Sequence, residues 1–406
     1  MPPFRARRSP KGLALALGLA LAACGDGEGM GPPDSYVLLA PVAGAPAGDP
    51  PLVDRVSEAE LPQLGKLLND GFVAEMLRTV YLAKQLVREG HAAGRPFPGA
   101  ASPAATEGIP LVLGLDRDPH GRGLAFRRFL RAPAPRPDLV WLGLPAAIAE
   151  DPAAVQTVAG RLAEHALRLS LSGGTLADAE LAPALPRPLA AGYRMAMEVI
   201  AREWRVGRGP QGVVAYDAGT TAQRALFADV RENRFVVGED RRTVRPAAEL
   251  LGDPGGAATV IYRLAQTRSV AQRVAPEAFY APFASRVPPG ISPAAVLGPF
   301  RNFQAKLLGA WAAAVAEKHP PRDIADLVQL YAGTFPAERK EVVRIFAVTT
   351  FGGTLTPGGA STRPEDSART LATIDALTAE VVAGRRSLRA ATEGPPPASA
   401  PTRNRL

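Results

Sequence analysis

Six acidic side chains lie on segments with helical periodicity, and they are the residues of this sequence best suited to acid–base chemistry. Two carboxylates about 5–9 Å apart can serve a glycosidase as acid and base or nucleophile. The same residues stand among arginines and lysines, and ion pairs on solvated helix faces account for them more simply. The residues open to both interpretations are Glu198, Glu203, Asp323, Asp326, Glu338 and Glu341.

The histidines and the cysteine restrict the remaining chemistry. The chain has four histidines and one cysteine, and without a His-Glu-x-x-His motif a zinc protease of that type is excluded. The Gly-x-Ser-x-Gly and Ser-x-x-Lys signatures of serine hydrolases are also missing. His91 and His319 stand at predicted helix ends, where an imidazole complements the helix dipole, and His165 lies inside a predicted helix. We therefore predict no catalytic residue, no cofactor site and no metal site.

A glycine-threonine motif stands in the middle of the chain. The segment from Val213 to Arg224 reads Val-Val-Ala-Tyr-Asp-Ala-Gly-Thr-Thr-Ala-Gln-Arg. It resembles the first phosphate motif of carbohydrate kinases of the FGGY family, in which the Gly-Thr-Thr turn faces the nucleotide phosphates and the Asp, here Asp217, serves the metal. In that family the motif opens the chain, and a glycine-rich adenosine motif follows several hundred residues later, whereas here the order and spacing differ. We expect a strand, a glycine turn and threonines that cap the local backbone.

Residues 1–23 have the features of a secretory signal peptide. Four basic residues precede twelve apolar ones, a run too short for a membrane helix, which needs about 20. The run ends in Leu21-Ala22-Ala23-Cys24, which resembles the lipobox of bacterial lipoproteins, Leu-(Ala/Ser)-(Gly/Ala)-Cys. The resemblance implies that Cys24 receives a diacylglycerol, that signal peptidase II cuts before it, and that the new amino terminus is acylated.

The lipobox also predicts a location and partners. Two or three acyl chains hold a protein firmly on a membrane, and Gly25 after the cysteine, where an Asp would favour the inner membrane, favours the outer membrane facing the periplasm. Loss of the leader lowers the formal net charge from +8 to +4. The remaining positive charge is mild and comes mostly from arginine. A genome-wide codon preference for arginine accounts for it better than a nucleic-acid surface does. We expect the membrane as a partner through the lipid anchor, an envelope protein or glycan as a further partner, and no nucleic acid.

Composition and periodicity divide the chain into five parts. The signal peptide (1–23) precedes a flexible tether rich in Gly and Pro (24–56), and an unstructured Pro-rich tail (393–406) comes last. Between them we predict a mixed helical domain with two short hairpins (57–291) and a helical bundle region (292–392). The predicted fold class is mainly α, with α+β left open: a helical domain with small β-hairpin insertions and an antiparallel helical C-terminal half.

The hairpins and the strongest helical stripe can be placed along the chain. Residues 109–115 and 124–130 flank a β-turn signal, and residues 212–217 and 234–238 flank a polar stretch. In the C-terminal half, three aromatic residues recur at helical spacing and are expected in the core. These aromatic residues are Phe300, Phe303 and Trp311.

The sequence favours a lipid-anchored cell-envelope protein that acts by binding or scaffolding, and it leans away from an enzyme. Two alternatives stay open: an envelope hydrolase that acts on peptidoglycan or another glycan through paired carboxylates, and a solute- or lipid-binding lipoprotein. A deep cleft with two facing acids would favour the hydrolase, a flat apolar surface the interaction protein, and a large closed apolar cavity lipid carriage.

Overall fold

The computed structural model of the chain describes twelve stretches of the sequence. They are residues 36–45, 51–60, 71–92, 109–114, 125–127, 142–144, 152–172, 182–206, 220–236, 245–280, 293–350 and 364–393. The signal peptide, Cys24, the predicted strand 212–217 and the tail beyond Glu393 lie outside the described residues.

Helices make up most of the described residues, which confirms the predicted mainly α fold with small β insertions. The helices are α1 (Gly71–Ala92), α2 (Pro152–Ser172), α3 (Arg187–Val206), α4 (Thr221–Glu232), α5 (Ala247–Leu251), α6 (Pro254–Gln266), α7 (Arg268–Ala271), α8 (Pro293–Ala316), α9 (Ile324–Thr334), α10 (Arg339–Thr350), α11 (Pro364–Val382) and α12 (Leu388–Glu393).

Five short strands form one sheet, in the order β4-β2-β1-β3-β5. They are β1 (Tyr36–Pro41), β2 (Leu52–Arg55), β3 (Ile109–Leu113), β4 (Ala125–Phe126) and β5 (Leu142–Leu144). β1 and β2 are antiparallel, whereas the other three neighbouring pairs are parallel. Strand β5 contacts α2, which joins the sheet to the helices.

The strand pairing differs from the predicted hairpins. β3 and β4 are strands, as expected, but β1 and β2 lie between them in the sheet. The parallel register sets Leu38 beside Leu111 and buries both, which a hairpin between β3 and β4 would not achieve. In the second predicted pair, Arg234–Val236 is a 3₁₀ turn. The cause is Asn233, which ends α4 in the left-handed conformation (φ 58°) and turns the chain there.

The predicted tether (24–56) overlaps the sheet, and this prediction is corrected: residues 36–41 and 52–55 are strands and are not part of a flexible segment. β1 and β2 both fall within it, and Tyr36, Leu38, Leu39 and Val53 are buried. Glycine and proline dominate the composition around these strands and hide the short apolar pattern that brings them into the core.

The predicted helical region 292–392 contains helices α8 to α12, one more than the four expected. Phe303 and Trp311 of α8 are buried, as predicted, whereas Phe300 is only half-buried. Helix α8 is interrupted at Gly298, whose φ of 70° and ψ of 169° are not helical. Its longer part therefore begins at Pro299.

Small residues let α3 and α6 pack closely. A Cβ on Gly192 of α3 would lie 2.6 Å from the Cβ of Ala257 and 2.9 Å from the carbonyl oxygen of Pro254. Helix α2 packs against both α1 and α3, and α8 contacts α1 and α2. These contacts bring parts of α1, α3, α6, α7 and α8 to one side of the molecule, where the candidate site lies.

Candidate functional site: a cleft at the break in helix α8

A half-open cleft of about 420 Å³ lies where α1, α3, α6, α7 and α8 meet. Its volume falls within the range of about 300–1,000 Å³ that is typical of small-molecule sites. It is lined by Glu75, Ile200, Trp204, Ala265, Gln266, Arg268, Ala271, Gln272, Leu297, Gly298, Pro299, Phe300 and Arg301.

The break in α8 forms one side of the cleft. The backbone of Gly298 adopts a combination of φ and ψ that is essentially restricted to glycine. Pro299 follows and suits the first position of a helix, because it lacks an N–H that would otherwise need a partner. The Gly-Pro pair therefore stops one helical segment and starts the next. This places Leu297 and Phe300 on either side of the interruption, both lining the cleft.

An aromatic cluster forms the apolar wall. The rings of Phe72, Trp204 and Phe300 contact one another, with centroids 5.3 to 5.8 Å apart and mostly edge-to-face. Phe72 is buried, whereas Trp204 and Phe300 are half-buried and line the cleft. Such contacts stabilise by about 0.5–1.5 kcal/mol per pair beyond area burial, so this wall is preformed.

An ion-pair cluster lies beside the aromatic wall. Glu75 on α1 contacts Nη1 of Arg78 at 2.6 Å and Nε of Arg301 at 2.8 Å. Burial lowers the pKa of the Arg301 guanidinium, and the nearby Glu75 carboxylate opposes that shift. One carboxylate thus faces two guanidinium groups, which leaves this end of the cleft with a surplus of positive charge.

A hydrogen-bond network orients the amide at the other end. The hydroxyl of Tyr262 donates to both oxygens of Glu203, at 3.0 and 3.1 Å, and Nε2 of Gln266 donates to Glu203 at 2.8 Å. An ionised carboxylate can only accept hydrogen bonds, so the amide group of Gln266 must turn its NH₂ toward Glu203. Arg268 and Gln272 are exposed at the rim.

The arrangement is suited to binding a small molecule of mixed polarity. Glu75 is the one acidic residue among the described lining residues, and it is already paired with two arginines. A glycosidase site needs a second carboxylate at a suitable distance. Within the described ranges, no group of three or more His, Cys, Asp or Glu residues is placed to hold a metal ion.

The six acidic residues singled out in the sequence do not converge on one site. Glu203 borders the cleft, as described. Glu198, also on α3, lies against Gly160 of α2 and is 3.7 Å from Nε of Arg194. Burial raises the pKa of the Glu198 carboxyl to about 7, against the opposing effect of Arg194 and Arg161.

The other four acidic residues serve helix ends and ion pairs. Asp323 caps α9 by accepting from the N–H groups of Ala325 and Asp326, and it pairs with Arg389. Asp326 pairs with Arg322 four residues before it. Glu338 pairs with Lys306 in the core, and Glu341 stands in the first turn of α10, where its charge suits the helix dipole. Four of the six acids are thus ion-paired, but Asp323 and Glu338 are buried and do not lie on the solvated helix faces that were expected.

The described part of the glycine-threonine motif is a helix cap. The Thr220 hydroxyl accepts from the N–H of Gln223 at 3.2 Å, and the Gln223 side chain accepts from the N–H of Thr220 at 3.1 Å. This capping box begins α4, as expected for threonines that cap local backbone. Arg224 donates to the hydroxyl of Thr221. Asp217 lies outside the described residues.

Two histidines, His165 and His319, lie inside or at the end of a helix in the described stretches. His165 is buried on α2, and His319 follows the end of α8 with its N–H bonded to the carbonyl of Ala314. No helix in the described stretches combines the length and the apolar character that crossing a membrane requires.

The sequence did not identify the cleft, because its residues come from distant segments. Glu75 and Arg301 carried no motif, and Phe300 was assigned to the core. The available signal was the Gly298-Pro299 dipeptide within a helical stripe, which is typical of a break.

No family model matches this chain, and neither the curated proteins nor the solved structures gave a significant match. What the cleft can bind is therefore argued from its own side chains.

Proposed function

We propose that this protein is lipid-anchored in the cell envelope, faces the periplasm, and acts by binding a small molecule in the cleft. The lipobox at residues 21–24 supports the anchor, and Gly25 after Cys24 supports the outer membrane. The cleft is the observation that carries the binding role. It combines a preformed aromatic wall with polar side chains that ion pairs and hydrogen bonds hold in place.

The lining favours a solute-binding lipoprotein over glycan hydrolysis and over carriage of a lipid. Hydrolysis of a glycan would need a second acid that acts together with Glu75, whereas Glu203, the other carboxylate beside the cleft, already accepts from Tyr262 and Gln266. Carriage of a lipid chain would need a large closed apolar cavity, whereas this cleft is half-open and partly polar.

The anchor is tested by the mass of the mature amino terminus. Protein made in its bacterial host should begin at Cys24 and carry the mass of two or three acyl chains. Cys24→Ala should remain unprocessed, because the acceptor thiol for the diacylglycerol is gone. A mature form that begins at Gly25 or later would refute the anchor.

The binding role is tested by ligand retention. The full chain, purified from membranes in a neutral detergent and exposed to an envelope extract, should retain a small molecule in native mass spectrometry. Trp204→Ala should reduce retention because it removes part of the aromatic wall, whereas the exposed Arg385→Gln, far along the chain on the turn after α11, should not. Absence of any retained molecule, or equal retention by Trp204→Ala, would contradict this role.

A further inference from the structure

We infer that the cleft takes a small carboxylate that is carried on a ring with an apolar face. An acidic sugar and an aromatic acid share this chemistry. The inference rests on the proposed binding role and specifies its ligand from charge, ring contacts and hydrogen-bond geometry.

The charge balance of the cleft favours an anion. Three guanidinium groups, those of Arg78, Arg268 and Arg301, stand in or beside it, against the two carboxylates of Glu75 and Glu203. Both carboxylates already have protein partners: Glu75 accepts from Arg78 and is ion-paired with Arg301, and Glu203 accepts from Tyr262 and Gln266. A surplus of positive charge in a concave site raises the local concentration of anions.

The aromatic wall favours a ring over a flexible chain. Trp204 and Phe300 both line the cleft, with centroids 5.8 Å apart, and Ile200 and Leu297 extend the apolar surface. A rigid ring covers such a surface with little loss of conformational freedom, whereas an alkyl chain must be ordered bond by bond. The volume of about 420 Å³ limits the ligand to a small molecule.

The polar rim is arranged to meet the carboxylate and the ring substituents separately. Arg268 and Gln272 are four residues apart, with the N–H of Gln272 bonded to the carbonyl of Arg268, so both side chains leave the same face of one helical turn. They offer donors to a carboxylate at the mouth. Gln266 has its nitrogen committed to Glu203, so its carbonyl oxygen is the atom that accepts from a ligand hydroxyl or N–H.

Isothermal titration calorimetry of the full chain in neutral detergent tests this ligand class with four probes. Glucuronate and benzoate are ring carboxylates, glucose is the neutral ring, and octanoate is the carboxylate without a ring. We expect at least one ring carboxylate to bind about tenfold more tightly than glucose or octanoate, in line with the strength of charge-assisted hydrogen bonds. Tighter binding of glucuronate identifies a sugar acid, and tighter binding of benzoate an aromatic acid.

Two variants separate the contributions of charge and ring. Arg268→Gln should lower the affinity for the preferred ring carboxylate at least about fivefold and leave the affinity for glucose unchanged. Arg385→Gln should change neither affinity. The chain has three tryptophans, and Trp311 is buried with its N–H bonded to the carbonyl of Ala184. Trp204 is the tryptophan that lines the cleft, so a fluorescence change on binding should be clearly smaller in Trp204→Phe.

The outcomes distinguish this inference from the proposed function. Equal binding of glucose or octanoate, or no binding of either ring carboxylate, refutes the ligand class. If an envelope molecule is still retained in that case, the binding role stands with another ligand. If nothing is retained, the proposed binding role fails as well, and an unmodified Cys24 would separately refute the anchor.

Discussion

The ammonium of Lys306 on α8 lies 2.7 Å from Oε1 of Glu338, and both side chains are almost completely buried. Lys306 also donates to the carbonyl oxygens of Val270 and Arg273, at 2.7 and 3.0 Å, and the hydroxyl of Tyr331 donates to Glu338 at 2.8 Å. Burial lowers the pKa of Lys306 and raises that of Glu338, and their pairing opposes both shifts. Lys306 thereby holds the segment 270–273, in which Ala271 and Gln272 line the cleft.

Breaking this pair should be costly. Lys306→Met leaves the buried Glu338 carboxylate without its cation and removes the donor to the carbonyl of Val270, and we expect a loss of about 3–5 kcal/mol in the free energy of unfolding. Urea denaturation measures it. Lys340→Met, at an exposed site on α10, is the matched control and should stay within about 0.5 kcal/mol. The double variant Lys306→Met/Glu338→Leu should lose less than Lys306→Met alone, and a double variant that loses more would argue against a charge-pair origin.

The titration of Glu198 should make the folded state less stable at neutral pH than at mildly acidic pH. Burial raises its pKa from the ordinary 4.5 to about 7, so the folded state binds a proton that the unfolded state releases. The stability from this group is therefore fully present below about pH 4.5 and is lost as pH rises through 7, with a total loss on the order of 3 kcal/mol.

Denaturation of the wild type and Glu198→Gln at pH 5 and pH 8 measures this effect. Gln keeps the shape without the charge, so the variant should lose less stability between the two pH values than the wild type does. Parallel pH profiles for the two proteins would show that Glu198 does not titrate in this range.

How much of this structure the sequence predicts depends on how far apart along the chain the interacting residues lie. Helical stripes and caps are local, so the cap at Thr220 and the buried positions of Phe303 and Trp311 follow from capping patterns and periodicity. The parallel pairing of β1 with β3 joins distant segments with no turn signal between them, and so a hairpin was predicted instead. The pairing of Glu75 with Arg301 likewise depends on how α1 and α8 pack, which periodicity does not specify.

The close contact of α3 and α6 should make Gly192 intolerant of a side chain. Gly192→Ala places a Cβ 2.6 Å from that of Ala257, and we expect a loss of about 1–3 kcal/mol from overpacking. Gly333→Ala on α9 is the matched control, because nothing lies within 4 Å of its Cβ. There the better helix propensity of alanine should stabilise by about 0.5–1 kcal/mol. Thermal denaturation compares the two, and equal shifts of the melting temperature would contradict the packing argument.

Substitution of Gly298 at the break in α8 should lower both the stability of the fold and the affinity of the cleft for its ligand. Gly298→Ala finds open space for its Cβ but needs a backbone conformation that is essentially restricted to glycine, at a cost of about 1–3 kcal/mol. The helix can relieve that strain only by changing the break, which moves Leu297 and Phe300 in the cleft wall. Gly384→Ala is the control, since it also has a positive φ (71°) and open space but does not line the cleft. Both variants should lower the melting temperature. Only Gly298→Ala should lower the affinity for the preferred ring carboxylate, measured by calorimetry. An equal loss of affinity in both variants would show that the break does not shape the site.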